Sequence, residues 1–339
     1  ITRFAANDEL FSIFSDIKED PFIAIQPDLC SESIILRNKI DGKEQQIDYQ
    51  DTPGVNEMRD NLLIINKCLQ THYPDLRIRD DEWLLLQERL IADPKKQPID
   101  LTRRTLVRIF SEGRFDRGGR FYRGWWQNVQ SEYRPHITIA GEKTCEYDFS
   151  QLNPHMVYFL RNKELGNEDA YDRVFDCDHR NLVKEAFNAM MQSSTPLLEE
   201  PKDIDLSEVD FDWPFLRQAI MDAHKPIRDM FFKGHGNYLQ YVESVMAEDV
   251  MLRFAKSDYA PVLPMHDSFI MQHSFGESDE LEEDMRRVFY GQFKKDIKIN
   301  DNIGVIITSP FDEKKSGGLL FEEQFPRKTE FSQWENRNN

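Results

Sequence analysis

The chain contains no run of about 18 apolar residues, and that absence excludes an ordinary membrane-spanning helix. Its first residues, Ile1 to Glu9, lack the charged-then-apolar pattern of a secretory leader. Cysteine is scarce, and the four present, at positions 30, 68, 145 and 177, lack the close spacing of a zinc knuckle. They read as reduced thiols of a cytoplasmic protein. Positive charge is also in deficit: 43 Lys and Arg stand against 61 Asp and Glu, a formal net of −18. Such a balance argues against casual attraction to nucleic acid, which requires clustered cations.

The remaining composition is that of a globular protein. At 339 residues, with 40% apolar content, 24 Phe and 5 Trp, the chain can bury a large core as one big domain or two smaller ones. Its charge is uneven. Leu101 to Pro135 holds eight Arg against three acids, a local net of +5, interleaved with Phe110, Phe115, Phe121, Tyr122, Trp125, Trp126 and Tyr133. Arginine beside aromatic rings suits a surface that holds phosphates and stacks bases, although the same rings could form the core of a structural hairpin.

Two aspartates carry the strongest chemical signal. Asp148 opens Asp148-Phe149-Ser150-Gln151 after the strand-like Thr144 to Tyr147, and Asp267 sits in His266-Asp267-Ser268 after the apolar Ala260 to Met265. The stretch Ile137 to Asp148 reads as a hairpin turning at Ala140-Gly141-Glu142, so both acids stand at strand ends. Two carboxylates can bridge two hard cations about 3.5–4 Å apart, one activating a hydroxyl and one neutralising a leaving pyrophosphate. Mg²⁺ suits such oxygen ligands, and Mn²⁺ can stand in for it. Any two aspartates are more simply solvated strand-end acids, so their context decides. Between them Arg180 and Lys184 lie at i and i+4 on a helix running through Phe187, Met190 and Met191. A cationic face of this kind can hold a triphosphate.

Other segments frame these motifs. Leu62 to Leu69 and Glu82 to Ile91 have helical spacing, the second ending at Pro94 or Pro98. Pro154 sits in the first turn of a helix, residues 195 to 213 form an acidic, proline-containing loop, and Tyr238 to Phe254 form a helix with a broad apolar face. Ser278 caps a helix with Asp279 and Glu280 in its first turn and Arg286, Arg287, Lys294 and Lys295 in later ones. The polar stretch Lys328 to Asn339 reads as a frayed tail.

Taken in order, these motifs resemble those of the family A DNA polymerases and the related phage-type single-subunit RNA polymerases, over roughly Arg103 to Arg287. Gly113-Arg114, Asp116 to Tyr122 and Gln127-Asn128 look like the template-strand segment that precedes the first catalytic motif. Gln240 with Glu243 and Ser244 is similar to the helix that touches the primer-template duplex. The resemblance implies an α+β right-hand polymerase with an antiparallel-sheet palm, helical fingers and a reduced thumb, without an exonuclease domain. In that layout residues 1–100 form a helical, thumb-like region and 101–147 the template-binding segment with the first palm strands. Residues 148–175 hold the first catalytic motif, 176–235 the fingers, 236–327 the rest of the palm, and 328–339 a flexible tail.

By the same resemblance, Asp148 and Asp267, helped by the carbonyl of Phe149, hold the metals. Arg180, Lys184, Phe187, Gln151 and Asn153 bind the nucleotide, with Lys184 able to protonate the leaving pyrophosphate. Arg114, Arg117, Arg120, Gln127, Asn128, Gln240 and His266 contact nucleic acid. The implied partners are a DNA primer-template, nucleoside triphosphates and a protein that could supply processivity, with no membrane. Some positions depart from the pattern. Asn153 stands where a glutamate helps exclude ribose, and Gln192 replaces an aromatic residue, so the stacking platform is either absent or supplied by Phe187. Ser268 matches the RNA enzymes, while Asp-Phe-Ser-Gln leans towards the DNA enzymes. The reading is therefore a minimal DNA-directed DNA polymerase. An RNA polymerase or primase on the same scaffold, a non-catalytic nucleic-acid-binding protein and a metal-dependent nuclease remain as alternatives.

Overall fold

A computed structural model describes residues 32–301, apart from 95, 167, 176 and 177. They form a mixed α+β structure on two sheets. The first begins with β1 (Ile34–Ile40) and β2 (Lys43–Gln46), joined by Asp41-Gly42 with φ of +51° and +79°. Asp-Gly is favoured in such a turn because both positions need positive φ. Helix α1 (Pro53–Thr71) starts with proline at its first position, and the Thr52 hydroxyl accepts the Val55 amide at 3.3 Å. Strand β3 (Pro74–Leu76) and helix α2 (Asp80–Ala92) follow, the helix stopping before Pro94 as its spacing predicts. Strand β4 (Val107–Phe110) lies parallel to β1, and β5 (Gly118–Tyr122) returns antiparallel, giving the order β2-β1-β4-β5.

The second sheet is centred on a hairpin, β6 (Ile137–Ile139) and β7 (Glu142–Phe149), whose turn at Ala140-Gly141 has φ of +51° and +84°. After β7 the chain reverses through left-handed Gln151 into α3 (Leu152–Leu160), where Pro154 occupies the first turn. Helix α4 (Arg180–Gln192) follows, then an irregular stretch to α5 (Trp213–Ala223) and the long α6 (Gly236–Ser257). Strands β8 (Leu263–Met265) and β9 (Ser268–Gln272) make a second hairpin beside β7. The short α7 (His273–Glu277), α8 (Glu280–Phe293) and β10 (Ile299–Asp301) complete the described chain. The sheet order is β3-β6-β7-β9-β8, and β10 pairs with β7. Strand β7 is thus bonded to β6, β9 and β10, which fixes its C-terminal end firmly.

Helix α6 ties the halves together, packing on β5, α1, α4 and α8. Arg108 is buried at this junction. Its guanidinium donates to Glu248 Oε2 at 2.5 Å, Gly119 O at 2.8 Å and Ser244 Oγ at 3.1 Å. Gly119 has φ +79°, and a Cβ there would meet the Phe110 ring at 2.7 Å and Ser244 Oγ at 2.9 Å, so the close approach of β5 to α6 requires glycine.

Four expectations need correction. The region up to residue 100 is not purely helical, because β1, β2 and β3 lie within it. The aromatic residues between 101 and 135 are chiefly core: Phe110, Phe121, Trp125, Trp126 and Tyr133 are buried, so these rings offer no stacking surface. Ser278 does not cap α8. The preceding α7 delivers the chain through left-handed Asp279, which takes the N-cap position without a side-chain cap bond. Left-handed Lys294 ends that helix, so Lys294 and Lys295 lie beyond it. Cys68 and Cys145 are buried free thiols, as expected, whereas Cys30, Cys177 and the tail from Lys328 lie outside the described residues. No described helix is long and apolar enough to cross a membrane.

Candidate active site

The register of the central strands brings the two aspartates together. Asp148 on β7 faces Ser268 on β9, and Asp267 is the residue immediately before Ser268. The Phe149 amide donates to the Asp267 carbonyl at 3.3 Å, tying the strand end to the turn. His266-Asp267 is a two-residue link between paired Met265 and Ser268, with φ +66° at His266. Both motifs therefore meet at one end of the most heavily bonded strand of the sheet.

Asp148 Oδ1 is buried and has no hydrogen-bond partner among the described residues. Burial first, then the nearby charges of Asp267 and Glu146, raise the Asp148 pKa, against the opposing help of Asn300 and Lys184. Glu146 is otherwise satisfied: its Oε1 accepts Arg134 Nη1 at 2.9 Å and the Ser268 hydroxyl at 2.7 Å. The repulsion between Asp148 and Asp267 is offset only by Lys184 and Asn300 on the Asp148 side and by the charge of Arg120 on the Asp267 side.

Among the described residues no group of three or more His, Cys, Asp or Glu gathers as a ready metal cage. Two carboxylates, one with an unmatched buried oxygen, are instead a sparse, all-oxygen donor set. Such a set fits Mg²⁺, which keeps waters and takes substrate phosphates, rather than zinc held by four protein ligands. The Phe149 ring is buried, so only its main chain could contribute.

Helix α4 stands over this end of the sheet. Lys184 is exposed, makes no hydrogen bond or ion pair among the described residues, and lies close enough to lower the Asp148 pKa. Arg180 is already engaged, at 2.8 Å from Asp169 Oδ2 and 3.7 Å from Asp172. Asn153 Nδ2 donates to Asn188 Oδ1 at 3.1 Å, joining α3 to α4, and Gln151 Oε1 accepts the Ala170 amide at 2.5 Å. The stacking role expected of Phe187 is corrected. Its ring is fully buried against Tyr171, His224 and Phe231, because it lies on the apolar face that docks α4.

The arginines of the template-like segment are answered by acids. Arg114 is exposed and pairs with Asp116 at 2.6 Å, while Arg117 lies 3.2 Å from Asp116, 3.6 Å from Glu112 and over the Tyr238 ring. Arg120 is turned inward to Glu243 at 2.5 Å, which corrects the expectation of a free phosphate contact there. Burial pushes the Glu243 carboxyl up to about 7. The half-buried Gln127 donates its amide to the carbonyls of Phe121 at 2.8 Å and Pro264 at 3.2 Å. Asn128 and Gln240 are half-buried. His266 is exposed beside Tyr122, and crowding by the surrounding protein, followed by the charge of Arg120, lowers its pKa.

Two residues that carried no sequence signal also belong to this site. Tyr171 is buried, and burial followed by the charges of Asp267 and Asp169 pushes its hydroxyl pKa well up. Asp169 holds Arg180. Both lie in an irregular loop, where no periodicity marks them.

No protein-family model and no curated protein matches the chain. Among solved structures it is similar to the POL domain of Pol1 from M. smegmatis, in complex with DNA primer-template and dNTP. The identity is 12% and the TM-score 0.41, and the match covers 74% of this chain and 52% of that one. The chain thus spans about half the length of that domain.

Proposed function

We propose that the protein carries out template-directed nucleotidyl transfer, as a minimal DNA-directed DNA polymerase using a DNA primer-template and nucleoside triphosphates. The observation that carries this reading is the placing of Asp148, opposite Ser268 at the end of β7, beside the turn that holds Asp267, with an Asp148 oxygen buried and without a hydrogen-bond partner among the described residues. Divalent cations, Mg²⁺ foremost, would activate the attacking hydroxyl and neutralise the leaving pyrophosphate when bound. The two carboxylates and the Phe149 carbonyl would hold them. Lys184 Nζ, exposed one turn along α4 from Arg180, is available to bind the triphosphate and to protonate the pyrophosphate. His266, next to Asp267 in the chain, is held below the ordinary histidine pKa, first by loss of solvent and then by the charge of Arg120.

A second reading, synthesis with ribonucleotides, is favoured by one feature. Asn153 is bonded to Asn188, so an amide pair stands where an acid would reject the ribose 2′-hydroxyl. The two readings separate in extension of a labelled DNA primer with Mg²⁺, supplied with deoxyribonucleotides or ribonucleotides in parallel with Asp267→Ala. Extension that the variant lacks supports nucleotidyl transfer, and the preferred sugar chooses between the readings. Failure of the wild type with either nucleotide would overturn both.

A further inference from the structure

Arg180 is held by an unusually well-fixed acid. Asp169 Oδ2 accepts both Arg180 Nε at 3.2 Å and Nη2 at 2.8 Å. Its other oxygen accepts the amides of Tyr171 at 2.8 Å and Asp172 at 3.1 Å, so the carboxylate cannot swing away without breaking backbone contacts. The loop behind it is anchored at Ala170, whose amide donates to Gln151 and whose carbonyl lies 3.0 Å from His224 Nε2. Beneath the guanidinium, 5.3 Å from it, lies the buried Tyr171 ring, itself packed on Phe187. A planar guanidinium has five N–H donors, and Asp169 takes two. The side chain is 40% exposed, so its remaining donors reach solvent one helical turn from Lys184.

We propose that Asp169 is a positioning residue for nucleotide binding: it pins the Nε and Nη2 edge of Arg180 so that the outer donors meet the phosphates of an incoming nucleoside triphosphate. This rests on the nucleotidyl-transfer reading above. An unrestrained arginine must lose rotamer freedom when it grips a phosphate, and fixing it beforehand removes that loss from binding. The acid also opposes the ligand by partly neutralising Arg180, and the sign of the effect on KM tells which influence prevails.

The test is single-nucleotide extension of a DNA primer-template with Mg²⁺, comparing wild type, Asp169→Asn, Arg180→Lys and the double variant. Asparagine keeps an oxygen for the two amides and removes the charge. The expected result for Asp169→Asn is a KM for nucleotide raised about tenfold, with kcat within about threefold and primer-template affinity unchanged. In the Arg180→Lys background the same change should add less than about threefold, since the two residues act as one unit. Asp169→Ser, whose hydroxyl can still accept an amide, should reproduce the KM rise and serves if the asparagine variant fails to fold. An unchanged or lowered KM, or full additivity, overturns the inference while wild-type extension leaves the function standing. Absence of extension by the wild type overturns both together.

Discussion

From Arg108 to Arg120 each arginine is met by an acid, whereas at the end of β7 two aspartates stand together without an ion pair among the described residues. Arg108 is matched to Glu248, Arg114 to Asp116, Arg117 to Asp116 and Glu112, and Arg120 to Glu243. Asp148 keeps a buried oxygen with no hydrogen-bond partner among the described residues. Other buried atoms among the described residues also lack a hydrogen-bond partner, Arg120 Nε and Glu243 Oε1 among them, but those two belong to an ion pair, whereas the Asp148 oxygen stands beside a second carboxylate, an arrangement that a bound cation would relieve. The arginine segment, richest in cations, serves the architecture first. The acid pair, the poorer electrostatic arrangement, is the better candidate for chemistry.

The largest effect that would break this contrast is on activity. Asp148→Ala or Asp267→Ala should lower primer extension by about 10³-fold or more, since each would remove a ligand behind several kcal/mol of charge stabilisation. The melting temperature should not fall. Extension that survives either change would remove the pair from the chemistry. Next is Arg108→Met, which strands Glu248 and is expected to destabilise the fold by about 3–5 kcal/mol in chemical denaturation. Adding Glu248→Leu should recover a good part of that loss. If Arg108→Met proved harmless, the structural role assigned to this arginine would fail.

A third test asks whether the acid pair is strained. The folded Asp148 pKa is raised, so its contribution to stability is present below the ordinary carboxylate range and is lost as pH rises through the raised value. At neutral pH its ionised form opposes folding. Asp148→Asn should therefore melt above the wild type without metal, while Mg²⁺ should raise the melting temperature of the wild type alone. A smaller pH effect belongs to Glu243, whose carboxyl is held up to about 7 by burial. Its contribution is full below about pH 4.3 and is lost as pH rises through about 7, so Glu243→Gln should flatten the melting profile between about pH 5 and 8. A profile unchanged by the substitution would show that the carboxyl is ionised throughout that range.

What could be read from the residues follows the same division. Local rules placed the β6–β7 hairpin, the helix with Pro154 in its first turn, the helix carrying Arg180 and Lys184 and the long α6, because periodicity and turn chemistry act within a few residues. The Asp41-Gly42 turn between β1 and β2 lies in the region expected to be helical, and the strands on either side of it were not anticipated. By contrast, the inward turn of Arg120 depends on Glu243, the burial of Arg108 depends on Glu248, and the hold on Arg180 depends on an irregular loop. These partners lie far apart along the chain or carry no pattern, so composition counted Arg108 and Arg120 as available cations when the fold had already neutralised them. Phe187 failed for a related reason: an aromatic residue on the apolar face of a helix packs inward before it can serve a ligand.

Arg114 gives the smallest and sharpest comparison. Alone among these arginines it is paired only to a neighbour two residues away, and its side chain is 56% exposed. An exposed ion pair of that kind adds little to folding, because water screens it and both side chains lose freedom. Arg114→Ala should leave the melting temperature unchanged. If this residue touches a template phosphate, the substitution should weaken DNA binding similarly for all sequences and reduce the slope of log affinity against log salt by about one. Arg120→Ala should instead lower stability, by leaving Glu243 buried without its partner. Should Arg114→Ala leave the salt slope untouched, the template-like segment would be architecture throughout, and the nucleic-acid surface would have to be sought elsewhere.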